Sequence, residues 1–145
     1  MTTDDAVRKA ATREAYGSTL VRLAEAGYDI VALDADLSAS TGGKKLAVSH
    51  PDRWYTVGAS EANMVNMAAG IAASGKIAFA ASFAVFLPGH CFDQVRMGIA
   101  QPNLNVKLLA SHGGLSVGED GASAQAIEDL ALMTCLLYTS DAADE

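Results

Sequence analysis

Only two cysteines, Cys91 and Cys135, occur in the 145 residues, and neither belongs to a spacing that could bind zinc or found a disulfide framework. A reduced, cytoplasmic setting is therefore expected. Basic residues are scarce too. Ten Lys and Arg stand against seventeen Asp and Glu, a formal net charge of −7 with no basic cluster, which argues against electrostatic binding of nucleic acid. The chain shows no apolar run of membrane-crossing length and no signal-peptide pattern, so a soluble intracellular protein is expected. Aromatic residues make up 6% of a chain that is 50% hydrophobic, so the core must rest mainly on Ala, Val, Leu and Gly. The length suits one domain with a real core. Thr41-Gly42-Gly43-Lys44 has neither the spacing nor the Gly-Lys-Ser/Thr ending of a phosphate-binding P-loop.

What is present is organised around Val57–Ser74. Met64, Met67, Ala68, Ile71 and Ala72 recur at helical spacing and predict a helix packed on a core. Ser60 suits the N-cap, where its hydroxyl could satisfy a first-turn N–H. Glu61, three residues before Met64, falls on the apolar face. The helix dipole favours a negative charge there, while burial opposes one. A surface acid near a helix start and a buried acid that meets a ligand both fit this spacing.

The other segments predict alternating strands and helices. Asp4–Ala26 reads as a helix with Ala10, Ala15, Leu20, Leu23 and Ala24 on one face, ended by Gly27. Asp29–Leu33, Arg53–Val57, Ile77–Ala81 and Asn105–Ser111 read as strands. Pro88 suits the first turn of a helix continuing from Asp93 to Ala100, and Ala124–Met133 reads as another with Ile127, Leu130 and Ala131 inward. The fold class expected is α/β, a doubly wound, mostly parallel sheet with helices on both faces. In such a sheet ligands bind at the carboxyl ends of the strands. Three segments stand there: the Asp/Ser loop Asp34–Thr41, the aromatic pair Phe83 and Phe86, and the glycine-rich loop Ser111–Gly121. Each also has a plain reading, as a self-bonded turn, core filling and a simple reversal of the chain. His90 follows the aromatic pair and could face the site, but alone it says little.

These segments together resemble the pyrimidine-binding domain of transketolases. The resemblance runs from Ala11 to Met133 through Ala11-Thr12-Arg13, Ala35-Asp36-Leu37 with Ser40, Gly58-Ala59-Ser60-Glu61-Ala62-Asn63-Met64, Ser82-Phe83-Ala84-Val85-Phe86 with Phe92–Arg96, and Ser111–Gly121. It implies that Glu61 meets the N1′ nitrogen of the aminopyrimidine of thiamine diphosphate. A protonated carboxyl donating there favours the imino tautomer, whose own nitrogen can take the proton from the thiazolium carbon. The resemblance further implies that Asp36 supports the cofactor pocket, Phe86 stacks on the pyrimidine and Phe83 backs it. Arg13, Ser40 and His112 would hold sugar phosphate, and Asp120 a sugar hydroxyl. One position departs from the family: a histidine that handles the donor sugar's oxygen atoms is Ala124 here.

The family's diphosphate domain, with its Gly-Asp-Gly and downstream Asn magnesium motif, has no counterpart in this chain. The chain therefore resembles the C-terminal section of a split transketolase. That resemblance implies a partner, a diphosphate-binding N-terminal-section subunit that holds the magnesium, in a homo- or hetero-oligomer acting on sugar phosphates. Residues 1–133 are expected to form an incomplete pyrimidine domain, and 134–145 an unrelated, artefactual tail on a truncated frame. The alternatives are 1-deoxyxylulose-5-phosphate synthase, the beta-type subunit of a 2-oxoacid dehydrogenase, or an inactive folded fragment that only binds or dimerises.

Overall fold

Ile30-Val31-Ala32-Leu33-Asp34 is buried at every position, as a central strand covered on both faces must be. Across residues 12–136, which this computed structural model describes, it is β1 (Ile30–Asp34) of a four-stranded sheet. With β2 (Trp54–Thr56), β3 (Ile77–Phe83) and β4 (Val106–Ser111), all neighbours parallel, the order is β2-β1-β3-β4. Parallel pairing requires crossovers, and helices supply them. Helices α2 (Ser38–Thr41) and α3 (Lys44–Ser49) connect β1 to β2, α4 (Glu61–Ala73) connects β2 to β3 and α5 (Phe86–Val95) leads from β3 toward β4, while α1 (Thr12–Glu25) precedes β1 and α6 (Asp129–Thr134) follows β4.

The side-chain period of a strand sorts β1 between two cores. Ile30 and Ala32 join Tyr16, Leu20 and Ala24 of α1, with Leu46 of α3. Val31 and Leu33 join Met64, Ala68 and Ala72 of α4, with Leu87 of α5. Helices thus cover both faces, the doubly wound α/β arrangement expected. The chain leaves β1 toward β2 on one side and β3 toward β4 on the other. The carboxyl ends of β1 and β3, paired at Asp34 and Ala81, therefore flank a topological switch point.

Several expectations are corrected in detail. The strands begin one residue later than expected at β1, β2 and β4, and β3 runs two residues further, to Phe83. The buried stripe of α4 is Met64, Val65, Ala68, Ala69 and Ala72, while Met67 is exposed and Ile71 only partly covered. The cause is a second contact. Val65 and Ala69 pack beside Cys91 and Val95 of α5, which turns the stripe away from Met67. Ser60 occupies the N-cap position and is exposed, but its hydroxyl makes no capping bond. Pro88, the third residue of α5, lies in its first turn as expected, but the helix kinks at Cys91 (φ −137°, ψ 29°) before a wider turn at Arg96–Ala100.

Helix α6 is shorter than expected, and Ile127, Leu130 and Ala131 all face outward. Before it, Ala122–Ala124 make a tight 3-10 turn and Gln125–Ala126 are extended. Ala126 exchanges both backbone hydrogen bonds with Gly114, at 2.9 and 3.2 Å, and this buries Ala124 and Ala126. The expected start of α1 at Asp4 and nearly all of the expected tail, 137–145, lie outside the described residues; Thr134 closes α6 and Leu136 is buried. Gly27 ends α1 as expected, in the left-handed region at φ +85° with its N–H on the Ala24 carbonyl.

Tyr16 carries an internal test of this core. It is 7% exposed, and among the described residues its hydroxyl has no hydrogen-bond partner. Burial first, and the charge of Asp34 second, push its pKa up, so the phenol stays neutral. An orphaned buried hydroxyl costs free energy, so Tyr16→Phe should stabilise the fold by about 1 kcal/mol. The urea midpoint measures it, and a clear loss of stability would show that the hydroxyl has a partner in solution.

Candidate active site

The first residue of α4 stands at the carboxyl ends of the strands, and that places Glu61. The carboxylate is buried, with 7% of the residue exposed. Ser82, wholly buried near the end of β3, donates its hydroxyl to Glu61 Oε1 at 3.2 Å. His90, on α5, puts Nδ1 3.4 Å from Glu61 Oε2. Three consecutive elements therefore converge on one acid. Beneath it lies Cys91, whose thiol is pushed up to about 12 by burial first and the Glu61 charge second. It stays protonated and is no nucleophile.

Beside the acid runs a row of rings. Phe83 is buried and lies nearly parallel to the half-buried Phe86, with centroids 5.8 Å apart and planes 8° apart. The imidazole of His112 stacks on Phe83 at 4.0 Å, and that of His90 leans on Phe86 at 5.2 Å. His112 has φ +58° and its Nδ1 lies 2.9 Å from Ser111 Oγ. The left-handed turn at the end of β4 is what folds its ring back toward β3. A buried acid next to stacked rings offers a flat nitrogen heterocycle both a proton partner and an apolar wall.

The loop after β1 is held by Asp34. Its carboxylate accepts from the Leu37 N–H at 2.5 Å and from the Thr41 hydroxyl at 3.0 Å, an Asx-type turn. Burial raises the Asp34 pKa above the ordinary carboxylate value, and these two bonds offset only part of that rise. Asp36, at φ +67°, is exposed on this loop, and Ser40 is half-buried on α2. Helix α2 lies directly on α1, where a Cβ on Gly42 would fall 2.3 Å from the Arg13 carbonyl. Ser40 and the exposed Arg13 thus share one flank of the strand ends. Asp120 is exposed on the turn Gly118–Asp120, apart from the bonded cluster. Of the eight residues singled out in the sequence, Glu61, Phe83, Phe86 and His112 come together with Ser82 and His90; Arg13, Asp36, Ser40 and Asp120 stand on the surrounding loops and helices.

Sequence reasoning assigned no role to Ser82, Asp34 or His90. A signal existed for the first two. A hydroxyl and a carboxylate inside otherwise apolar strands must find partners when buried.

A profile of the family described as "Transketolase, pyrimidine binding domain" matches residues 8–139. A protein of Methanocaldococcus jannaschii named "Putative transketolase C-terminal section" is 47% identical over 86% of this chain and 39% of its own length. Mouse transketolase is 42% identical over 92% of this chain and 22% of its own length. A solved structure titled "Split gene transketolase, inactive beta4 tetramer" superposes with a TM-score of 0.74 at 49% identity, over 87% of this chain and 40% of that one. The chain thus spans well under half the length of these relatives.

Proposed function

The chain belongs to the transketolase pyrimidine-binding domain family, and we propose that it forms the pyrimidine half of a thiamine diphosphate-dependent transketolase. A partner chain carries the diphosphate domain and its magnesium, and the assembly moves a two-carbon ketol unit between sugar phosphates. The observation that carries this reading is the Glu61 carboxyl, buried at the strand ends with Ser82 on one oxygen, His90 on the other and the Phe83–Phe86 pair beside it.

The residues present fit an aminopyrimidine. Glu61 is a buried acid with hydrogen-bonding capacity left over, since a carboxylate offers about four lone-pair sites, and Phe86 keeps part of its ring uncovered. When bound, the cofactor supplies a carbon nucleophile whose formation depends on proton exchange at its pyrimidine ring. Glu61 holds the proton at the ring nitrogen, and Ser82 fixes the rotation of its carboxyl. Phe86 takes the ring face, and Phe83, clamped between Phe86 and His112, sets the angle of the wall. Arg13, Ser40 and His112 bind the sugar phosphate, Asp120 a sugar hydroxyl, and Asp36 supports the cofactor pocket. Ala124 is 4% exposed and folded under its loop, so it offers the sugar no polar group.

A two-chain site has a direct test. Calorimetry with thiamine diphosphate and magnesium should show no tight binding to this chain alone. Micromolar or better affinity, about −8 kcal/mol, should appear only after the diphosphate-domain chain is added. Such affinity in the isolated chain would refute the division of the site.

A further inference from the structure

His90 makes two contacts at once. Its Nδ1 lies 3.4 Å from Glu61 Oε2, and its ring leans on Phe86 with centroids 5.2 Å apart and planes 27° apart. It is thus a flat nitrogen heterocycle engaging the acid and the wall that the preceding reading gives to the aminopyrimidine. Little holds it there. Its side chain is 60% exposed, and the hydrogen bond is at the long end of the range. Ser82 is different, being wholly buried and bonded to the other oxygen, Oε1.

We propose that His90 is an affinity-setting residue of this pocket, an internal competitor that an incoming aminopyrimidine must displace from Glu61 Oε2 and from Phe86. The inference rests on the aminopyrimidine reading and extends it to this chain's own side chain. Apparent affinity falls by the fraction of time the competent arrangement is populated. One weak hydrogen bond with a ring contact sets that factor at about three- to tenfold. Displacement leaves no buried charge without a partner, because Ser82 keeps Oε1 and the ligand takes Oε2.

The test uses the full chain and 4-amino-2,5-dimethylpyrimidine at millimolar concentration, followed by NMR. In the wild type, the His90 ring protons should lose the shift caused by the Phe86 ring as probe is added. His90→Ala should bind the probe about three- to tenfold more tightly, and His90→Asn, which keeps a group for Oε2 but no ring, should fall between. Equal affinity in wild type and His90→Ala overturns the inference while leaving the aminopyrimidine reading intact. Weaker affinity in His90→Ala also overturns it, and makes His90 a positioning residue for Glu61. His90 signals that stay fixed while wild type binds overturn it as well. Failure of both chains to take up the probe overturns the aminopyrimidine reading itself, and the inference with it.

Discussion

Glu61→Gln, assayed in the complex with the diphosphate-domain chain, should lower ketol transfer by about a hundredfold or more, the usual scale for losing a proton-transfer group. Glutamine keeps the size of the side chain and can still bond to Ser82 and to a ring nitrogen. It cannot give up or take a proton there. Cofactor affinity should fall far less, because ring contact and the partner's metal–diphosphate site supply most of it. Phe86→Ala should behave in the opposite way. It removes a half-buried ring that lies 5.8 Å from Phe83, so binding weakens first. Excess thiamine diphosphate should then restore Phe86→Ala and leave Glu61→Gln slow. Steady-state rates across a cofactor titration separate the two. Equal rescue of both variants would make Glu61 a binding residue and remove its catalytic role.

The placement of this site was legible because strand ends are legible. Apolar runs such as Ile30–Leu33 and Ile77–Ala81 announce buried parallel strands, and ligand chemistry in such sheets collects where they stop. Helical spacing from Met64 put Glu61 on the apolar face but fitted a surface acid as well, and the family resemblance gave it a role. Its partners were not legible. Ser82 and His90 belong to the strand and helix after α4, and only the crossover that stacks β3 beside β1 turns their distance along the chain into 3.2 and 3.4 Å.

The misread faces have a common physical origin. In an Ala-rich helix such as α4, two adjacent stripes satisfy the same period, and contact with α5 chose Val65 and Ala69 over Met67. At Gln125–Ala126, the exchange of hydrogen bonds with Gly114 replaced the expected helix with extended chain. Periodicity reports what a segment could bury alone; the neighbour decides what it does bury.

Gly17→Ala should be strongly destabilising. On α1, a Cβ at Gly17 would sit 2.0 Å from the carbonyl oxygen of Gly42 and 3.1 Å from its carbonyl carbon. Backbone cannot yield as a flexible side chain can, so α1 and the turn that ends α2 must part. The approach is glycine on both sides, since Gly42 holds φ +85° and lies against the Arg13 carbonyl. Parting them disturbs Leu20 and Leu46, which are both fully buried in the core beneath. The expected loss is about 3 kcal/mol, in the range of overpacked cores, and a melting temperature lower by about 10 °C. Gly70 on α4 provides the control: it is exposed, and its Cβ would meet nothing within 4 Å, so Gly70→Ala should stabilise by about 0.5–1 kcal/mol through helix propensity alone. Calorimetric melting of the two variants beside the parent decides the matter. A Gly17→Ala chain that melts with the parent would mean that α1 and α2 do not approach this closely in solution. Arg13 and Ser40 would then lose the contact that brings them to one flank of the site.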